Sequence, residues 1–201
     1  MKKTLTAVAM GLALLLALSP AHAQNVASQK AYFGAGTTEI LPPAGNPILQ
    51  GHIKTSGVGD LLIGVSLECA LWTATSTRAT KGGEVATSSS RAAVNVTVRV
   101  DGAEATPGQV VYCDRLQQVN LQFTSLDTVN ITQDAILLQI FLKTKNANHF
   151  NFYKTNPGSG VHFVEVFADS FVETTGDEVV VNNTRAVVGK RTLVIEEYNN
   201  P

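Results

Sequence analysis

The chain has 201 residues, only 15% of them charged, and a formal net charge of −1 at pH 7. This balance offers no basic excess to pair with a phosphate backbone, so nucleic acid is not an expected partner. The length suits one medium-sized domain that buries a core of its own.

The first 23 residues have the layout of a secretory signal peptide. The basic start Met1–Lys3 precedes an uncharged, mostly apolar run over residues 5–18, and Ala21–Ala23 closes it in small-x-small form. The run is too short to span a bilayer. We therefore predict a helical, cleaved signal peptide over residues 1–23, Sec-type export to the periplasm or the extracellular space, and no membrane span in the mature chain.

Residues 24–45 are punctuated by glycine and proline and predict an irregular lead-in to one domain over residues 46–201. After residue 60, two stretches place an apolar residue at every second position. These residues are Leu61, Ile63, Val65, Leu67, Cys69 and Leu71, and then Val94, Val96, Val98 and Val100. Such alternation is typical of β-strands with one buried face.

Gly82 and Gly83 lie between the two alternating stretches and can supply the positive φ angles of a tight turn. With these two residues as the loop, four apolar pairs face each other: Val65 and Val100, Leu67 and Val98, Cys69 and Val96, and Leu71 and Val94. A slip of one residue would oppose each to a polar one. We therefore predict a long central hairpin, whose Ser- and Thr-rich outer half (residues 73–80 and 85–91) projects into solvent.

Further strand patterns follow at short spacing, separated by turn residues such as Asn156-Pro157-Gly158. They lie at residues 109–113, 119–123, 136–142, 150–152, 162–168, 179–181 and 193–195. A short helix from Thr132 is an alternative at the third of these, but β-branched alternation favours a strand. Eight to ten short strands of this kind predict a single antiparallel β-sandwich.

Two cysteines, Cys69 and Cys113, lie in the mature chain. In an oxidising compartment an even pair predicts a disulfide. The closed loop would be worth about 4 kcal/mol by chain-entropy arithmetic. A thiol or metal site is the alternative, but the chain has no CxxC and no histidine close to either cysteine.

The stretch from Pro157 to Ala168 places a Pro-Gly turn before an alternating strand that ends in alanine, and a last strand follows at residues 191–197. This arrangement resembles the C-terminal strand pair of bacterial exported immunoglobulin-like and fibronectin-type-III-like domains. The resemblance implies a sandwich used for adhesion, display or binding, and it implies no catalytic residues. The Cys-Trp-Cys spacing of immunoglobulins is absent, since Trp72 follows Cys69 by three residues.

The densest mix of aromatic and amide side chains lies at residues 148–154. His149, Asn151 and Tyr153 alternate with Phe150 and Phe152, so one set can face solvent while the other enters the core. Aromatic rings beside an amide can hold a sugar ring, which makes the first set candidate ligand-binding residues. The alternative is an ordinary solvated strand face.

The acidic stretch between residues 155 and 184 contains no lysine or arginine. Asp169, Asp177 and Glu178 are candidate calcium ligands there, because carboxylates on neighbouring strands can bind Ca²⁺. Their spacing matches no calcium loop, and a solvated acidic edge that discourages aggregation is the favoured interpretation. We predict no metal site and no cofactor.

The chain contains no GxSxG, HExxH, P-loop or dinucleotide motif, so we predict no catalytic residues and no enzyme. The favoured interpretation is a bacterial exported β-sandwich that binds a protein or glycan, or builds a structure, at the cell envelope. A pilus-type subunit assembled by strand donation is the alternative, and an envelope hydrolase using scattered carboxylates is a third. Nothing in the sequence fixes the oligomeric state.

Overall fold

The computed structural model of the protein describes residues 31–40, 42, 45–57, 59–80, 85–122, 135–176 and 183–198. Within these ranges the chain forms nine β-strands and no α-helix. No helix in this part of the chain is long and apolar enough to cross a membrane. The predicted signal peptide lies outside the described residues. The strands are β1 (Ala31–Gly36), β2 (Pro47–Thr55), β3 (Asp60–Thr80), β4 (Ala86–Val100), β5 (Ala103–Glu104), β6 (Val110–Leu121), β7 (Ala135–Lys154), β8 (Gly160–Thr175) and β9 (Arg185–Tyr198).

The strands form two antiparallel sheets that pack face to face, which confirms the predicted all-β sandwich. Sheet A has the strand order β1-β9-β3-β7. Sheet B has the order β2-β8-β4-β5, and β6 also pairs with β4. All ten apolar residues of the two alternating stretches are buried, so the predicted inner faces of β3 and β4 are confirmed.

The predicted central hairpin is wrong. β3 pairs with β7 and β9, whereas β4 pairs with β6 and β8, so the two strands lie in opposite sheets. Alternation specifies which face of a strand is buried, but it does not specify the hydrogen-bonded neighbour. Two apolar faces meet equally well side by side in one sheet or across a sandwich. The proposed Gly82-Gly83 turn lies outside the described residues.

Two strand boundaries also differ from the prediction. Residues 31–36, part of the expected irregular lead-in, form β1 and pair with β9 at the edge of sheet A. The patterns at residues 136–142 and 150–152 belong to one continuous strand, β7, which follows β3 in unbroken register. Because β7 pairs with β3 along its whole length, the polar residues between the two apolar patterns also adopt the extended conformation of a strand.

The apolar core is joined across the sheets by a covalent bond and a hydrogen bond. Cys69 of β3 and Cys113 of β6 form the predicted disulfide, with their Cα atoms 6.3 Å apart. The buried Tyr112 hydroxyl donates to the backbone carbonyl of Val65, 2.9 Å away. Burial raises the pKa of Tyr112 and keeps this donor neutral. Both links tie the edge strand β6 to the central strand of the opposite sheet.

The Ser- and Thr-rich part of β3 and β4 lies inside the sandwich, which corrects the prediction that it projects into solvent. Gln117 accepts from Thr73 at 2.5 Å and donates to Thr75 at 2.8 Å. Across the sheets, Thr77 meets Ser88 at 2.5 Å. The hydroxyl groups of Thr73, Thr75, Thr77 and Ser88 can be buried here because each has a hydrogen-bond partner, whereas the buried Ser76 hydroxyl has none among the described residues.

At the opposite end of the sandwich, a buried histidine joins three segments. His162 of β8 contacts Asp101 Oδ2 through Nδ1 at 2.7 Å. Its Nε2 lies 3.1 Å from both Thr55 Oγ1 and the Gly158 carbonyl. Asp101 also accepts from the N–H of Phe163 at 2.9 Å. This Asp101–His162 clamp holds the β4–β5 turn against the start of β8 and the end of β2.

The buried face of β4 is tested by placing a charge on it. We expect Val96→Asp to lower the free energy of unfolding by more than about 4 kcal/mol, because an unpaired carboxylate would lie in the apolar core. Val111→Asp, the same change at an exposed position of β6, should cost less than about 1 kcal/mol. Chemical denaturation measures both, and equal effects would contradict the assigned face.

The clamp predicts a dependence of stability on pH. Partial burial acts to raise the pKa of Asp101, but the hydrogen bonds from His162 and Phe163 and the charge of His162 outweigh it and hold the pKa below its usual value of 3.8. The stabilisation is therefore present above pH 4 and is lost as the pH falls through the lowered pKa. We expect Asp101→Asn to cost about 1–2 kcal/mol at pH 6 and much less at pH 2–3.

Thermal melts at both pH values measure this difference. The exposed Asp169→Asn serves as the matched control and should change the melting temperature little at either pH. If the melting temperatures of the unchanged protein and of Asp101→Asn differ by the same amount at pH 6 and at pH 2, the clamp is not the source of acid sensitivity.

Candidate functional site

The three predicted ligand-binding residues lie together on the outer face of sheet A. His149, Asn151 and Tyr153 occupy alternate positions of β7, so their side chains project from the same face. All three residues are exposed, while Phe152 between them is fully buried. The register with β3 places Ser66 beside His149 and Gly64 beside Asn151. We refer to His149, Asn151 and Tyr153 as the β7 polar row.

A chain of hydrogen bonds fixes the orientation of the imidazole. His149 Nδ1 lies 2.8 Å from the hydroxyl of Ser66, and Nε2 lies 2.9 Å from Oδ1 of Asn151. Because Oδ1 only accepts, Nε2 carries the hydrogen and Nδ1 accepts from Ser66. The amide nitrogen of Asn151 therefore keeps its two N–H donors for a ligand.

Gly64 lets these side chains lie across the neighbouring strand. A Cβ atom at this position would approach His149 Cε1 to 3.1 Å and Asn151 Oδ1 to 3.4 Å. Both distances are at or below ordinary van der Waals contact, so a larger residue would push the imidazole and the amide outward. The glycine thus keeps the middle of the row flat.

A cleft of about 300 Å³ lies at the Tyr153 end of the row. Its lining residues are Asp60, Leu61, Leu62, Tyr153 and Tyr198. The two tyrosines are 43% and 57% exposed and lie on the two strands that flank β3, where Tyr153 pairs with Leu62 and Tyr198 pairs with Asp60. We call this feature the tyrosine cleft. It presents aromatic surface directly beside the polar row.

A second depression, of about 310 Å³, lies at the His149 end of the row and includes Ser66, Glu68 and Thr192. Lys145 Nζ is 2.9 Å from Glu68, and its hydrogen bond is the main cause that lowers the pKa of Glu68. Three charged residues, Glu68, Lys190 and Arg191, line this end, whereas Asp60 is the charged residue among those that line the tyrosine cleft. The row is thus bounded by two different environments about 13 Å apart along the strand.

The Ser66–His149–Asn151 chain has residue types that occur in nucleophilic enzymes, but its surroundings suit binding better. Ser66 lies in the middle of β3, with His149 opposite it on one side and Thr192 on the other. Ser66 thus belongs to a continuous strand of the sheet, and its own backbone N–H is used in the ladder with β9. What the row can do is hydrogen-bond polar groups of a ligand laid across the sheet.

Of the three candidate calcium ligands, only Asp169 lies in the described part of the chain. Asp169 is exposed on β8, in sheet B, where it pairs in register with Asn95. Asp177 and Glu178 lie outside the described residues. Within the described ranges, no three His, Cys, Asp or Glu residues are placed to hold a metal ion.

Tyr198 and Leu62 are site residues that the sequence did not reveal. Tyr198 is 45 residues away from Tyr153 in the chain and reaches the same cleft only because β7 and β9 flank β3. Tyr198 pairs with Asp60 in register, and that pairing cannot be read from alternation. The order of strands in the sheet would have been needed to find it.

Comparisons with known proteins do not assign a family. No protein-family model and no curated protein matches the chain. The solved structure "Structure of infectious bursal disease virus Gt strain" aligns over 87% of this chain and 42% of its own, at 12% identity and a TM-score of 0.15. The chain thus spans less than half of that protein, and a similarity this low carries no argument about fold or function. The resemblance to immunoglobulin-like domains stays a prediction.

The hydrogen-bond chain predicts the tautomer of His149. In neutral imidazole, we expect the hydrogen on Nε2 and an unprotonated Nδ1 that accepts from Ser66. Nitrogen-15 NMR of the ring distinguishes the two nitrogens. Ser66→Ala should shift the Nδ1 resonance, whereas Thr192→Ala on the neighbouring strand should leave it in place. A hydrogen found on Nδ1 would show that the network runs in the other direction.

Proposed function

We propose that the protein is an exported, non-catalytic β-sandwich that binds an uncharged glycan at the bacterial cell envelope through the outer face of sheet A. The observation that carries the proposal is the tyrosine cleft beside the β7 polar row. Aromatic surface for an apolar ligand face and oriented hydrogen-bonding groups lie next to each other on a rigid sheet.

The chemistry of this face fits a sugar. A pyranose ring has a C–H face that can pack on Tyr153 or Tyr198, and hydroxyl groups that can pair with an amide. Asn151 offers two N–H donors from a fixed position. Binding sites of this kind combine apolar contact with a few well-placed polar groups.

The charge of the face argues against an anionic ligand. The outward positions around the cleft are acidic at Asp60 and Glu196, and the others are neutral: Leu62, Gly64, Ser66, His149, Asn151, Tyr153, Thr192 and Val194. A polyanionic glycan would need a basic surface, and Lys145 is already paired with Glu68. Export, as the N-terminal sequence predicts, would bring this face into contact with envelope polysaccharides.

The alternative of a pilus-type subunit completed by a donated strand receives less support. In such an assembly a strand from another subunit fills a vacancy in the sandwich. Here β1 of the same chain already pairs with β9, in a register that runs from Ala31 opposite Glu196 to Gly36 opposite Arg191. The position beside β9 is therefore occupied by a strand of the same chain.

The proposal is tested by screening the exported protein against a panel of neutral and acidic glycans and measuring affinity by calorimetry. We expect Tyr153→Ala and Tyr198→Ala each to weaken binding of the selected neutral glycan by at least about tenfold. Phe33→Ala is the matched control, since it removes an aromatic ring that is 71% exposed at the β1 edge of the same sheet. Its affinity should stay within about twofold.

Two results would contradict the proposal. One is a glycan that binds equally well to the protein and to both tyrosine variants, because the site would then lie elsewhere. The other is the absence of binding to any neutral glycan by a protein that melts cooperatively. Selective binding of acidic glycans would also reject the uncharged class.

A further inference from the structure

One half of β7 is an apolar strand at the edge of sheet A. Residues 137–142 have the sequence Leu-Leu-Gln-Ile-Phe-Leu, with no charge, proline or glycine. Leu137, Leu138, Phe141 and Leu142 are exposed by 44%, 37%, 57% and 41%, on both faces of the strand. We call residues 137–142 the β7 edge segment. Long, uncharged edges of this kind are templates for pairing with another strand.

The backbone of this segment is available for pairing on one side. β3 occupies one side of β7. On the opposite edge of β7, near its C-terminal end, the backbone N–H and C=O of Tyr153 form hydrogen bonds with Thr106. In an antiparallel ladder, alternate residues direct their backbone N–H and C=O groups to opposite edges of the strand. Because Tyr153 directs these groups to Thr106, the other odd-numbered residues of β7 also direct theirs away from β3. Among the described residues no strand pairs with this side along residues 137–142.

We propose that two copies of the chain pair through this edge, β7 against β7, antiparallel, about a two-fold axis that crosses sheet A at Gln139. An axis perpendicular to the sheet places the outer faces of both copies on the same side of the joined sheet. Leu137 then lies opposite Phe141 of the partner subunit, and Leu138 lies opposite Ile140 of the partner subunit. The single polar residue, Gln139, meets its own copy.

This register is favoured over its neighbour. Moving the axis to Ile140 would set Gln139 against Phe141 of the partner subunit and Leu137 against Lys143 of the partner subunit. With the axis at Gln139, Lys143 lies opposite Ala135 of the partner subunit, and the two Lys143 residues are roughly 26 Å apart along the strands. Apolar side chains thus meet apolar ones and like charges stay separated.

The directions of the backbone N–H and C=O groups also favour an axis at Gln139. Residues 137, 139 and 141 all point their N–H and C=O groups to the free side, and the axis pairs odd residues with odd residues. The closed pairing therefore forms about six inter-copy hydrogen bonds. It joins the two four-stranded sheets into one continuous sheet.

A consequence for ligand presentation follows from the symmetry. Because the axis is perpendicular to sheet A, both β7 polar rows lie on the same side of the dimer. A repeating polymer could then bind both sites of one dimer, and avidity would exceed the affinity of a single site. The pairing itself does not rest on the proposed glycan binding, since it depends only on the edge segment.

The exported full-length protein is tested by analytical ultracentrifugation, where we expect a monomer–dimer equilibrium. Gln139→Pro removes an N–H that faces the free side while leaving the ladder to β3, and it should raise the dimer Kd at least about tenfold. Gln139→Ala keeps that N–H and is the matched control, with an expected change below about threefold. A melting temperature close to that of the protein confirms that each variant folds.

Cross-linking tests the register. Directly opposed residues of a hydrogen-bonded pair have Cα atoms about 5.5 Å apart, within disulfide range. Gln139→Cys should therefore form a covalent dimer on mild oxidation. Leu137→Cys, whose two copies would be about 13 Å apart, should not. Four results would each overturn the proposal. The protein could remain a monomer at high concentration or form an open polymer. The dimer could persist in Gln139→Pro, or Leu137→Cys could cross-link while Gln139→Cys does not.

Discussion

The packing of β3 against the inner face of sheet B is the constraint on which the other features of the molecule depend. β3 is 21 residues long and pairs with β7 and β9 along its two edges. Its inward side chains meet those of β4 across the sandwich, and the buried apolar area supplies the main driving force for folding. Once this face is buried, the direction of every paired side chain on β7 and β9 follows from register. The outer face, including His149 and Asn151, is positioned by the burial of its opposite side.

The interior changes character along β3, from apolar residues near Leu61 to hydroxyl groups near Thr77. The disulfide between Cys69 and Cys113 lies where the two regions meet and fixes the sheets to each other at that point. Beyond it, hydrogen bonds from Gln117 to two threonines replace apolar contact. A hydroxyl network of this kind contributes less net free energy than an apolar core, but its directional bonds penalise any shift of one sheet relative to the other.

The two halves of β7 expose different surfaces because they have different neighbours. Near Tyr153 the strand is covered on its inner face, held at its edge by Thr106, and exposes polar side chains outward. Near Gln139 the inner side chains are themselves partly exposed, and none of the nine described strands pairs with the edge away from β3. One strand thus carries the proposed ligand face at one end and the proposed pairing surface at the other. In both cases the chemistry arises from what the neighbouring elements leave uncovered.

The sequence by itself determined the class of fold, the inward residues of β3 and β4, the cysteine pair, and the grouping of His149, Asn151 and Tyr153 on one face. These follow from the two-residue period of a strand, which is a local property. Only the tertiary structure decided that β3 and β4 lie in opposite sheets, that the Ser- and Thr-rich segments are buried, and that Tyr198 joins Tyr153. Strand partners are chosen by contacts between residues far apart in the chain. An apolar stripe accepts any apolar partner of suitable shape, and a hydroxyl row is buried or exposed according to whether another such row packs on it.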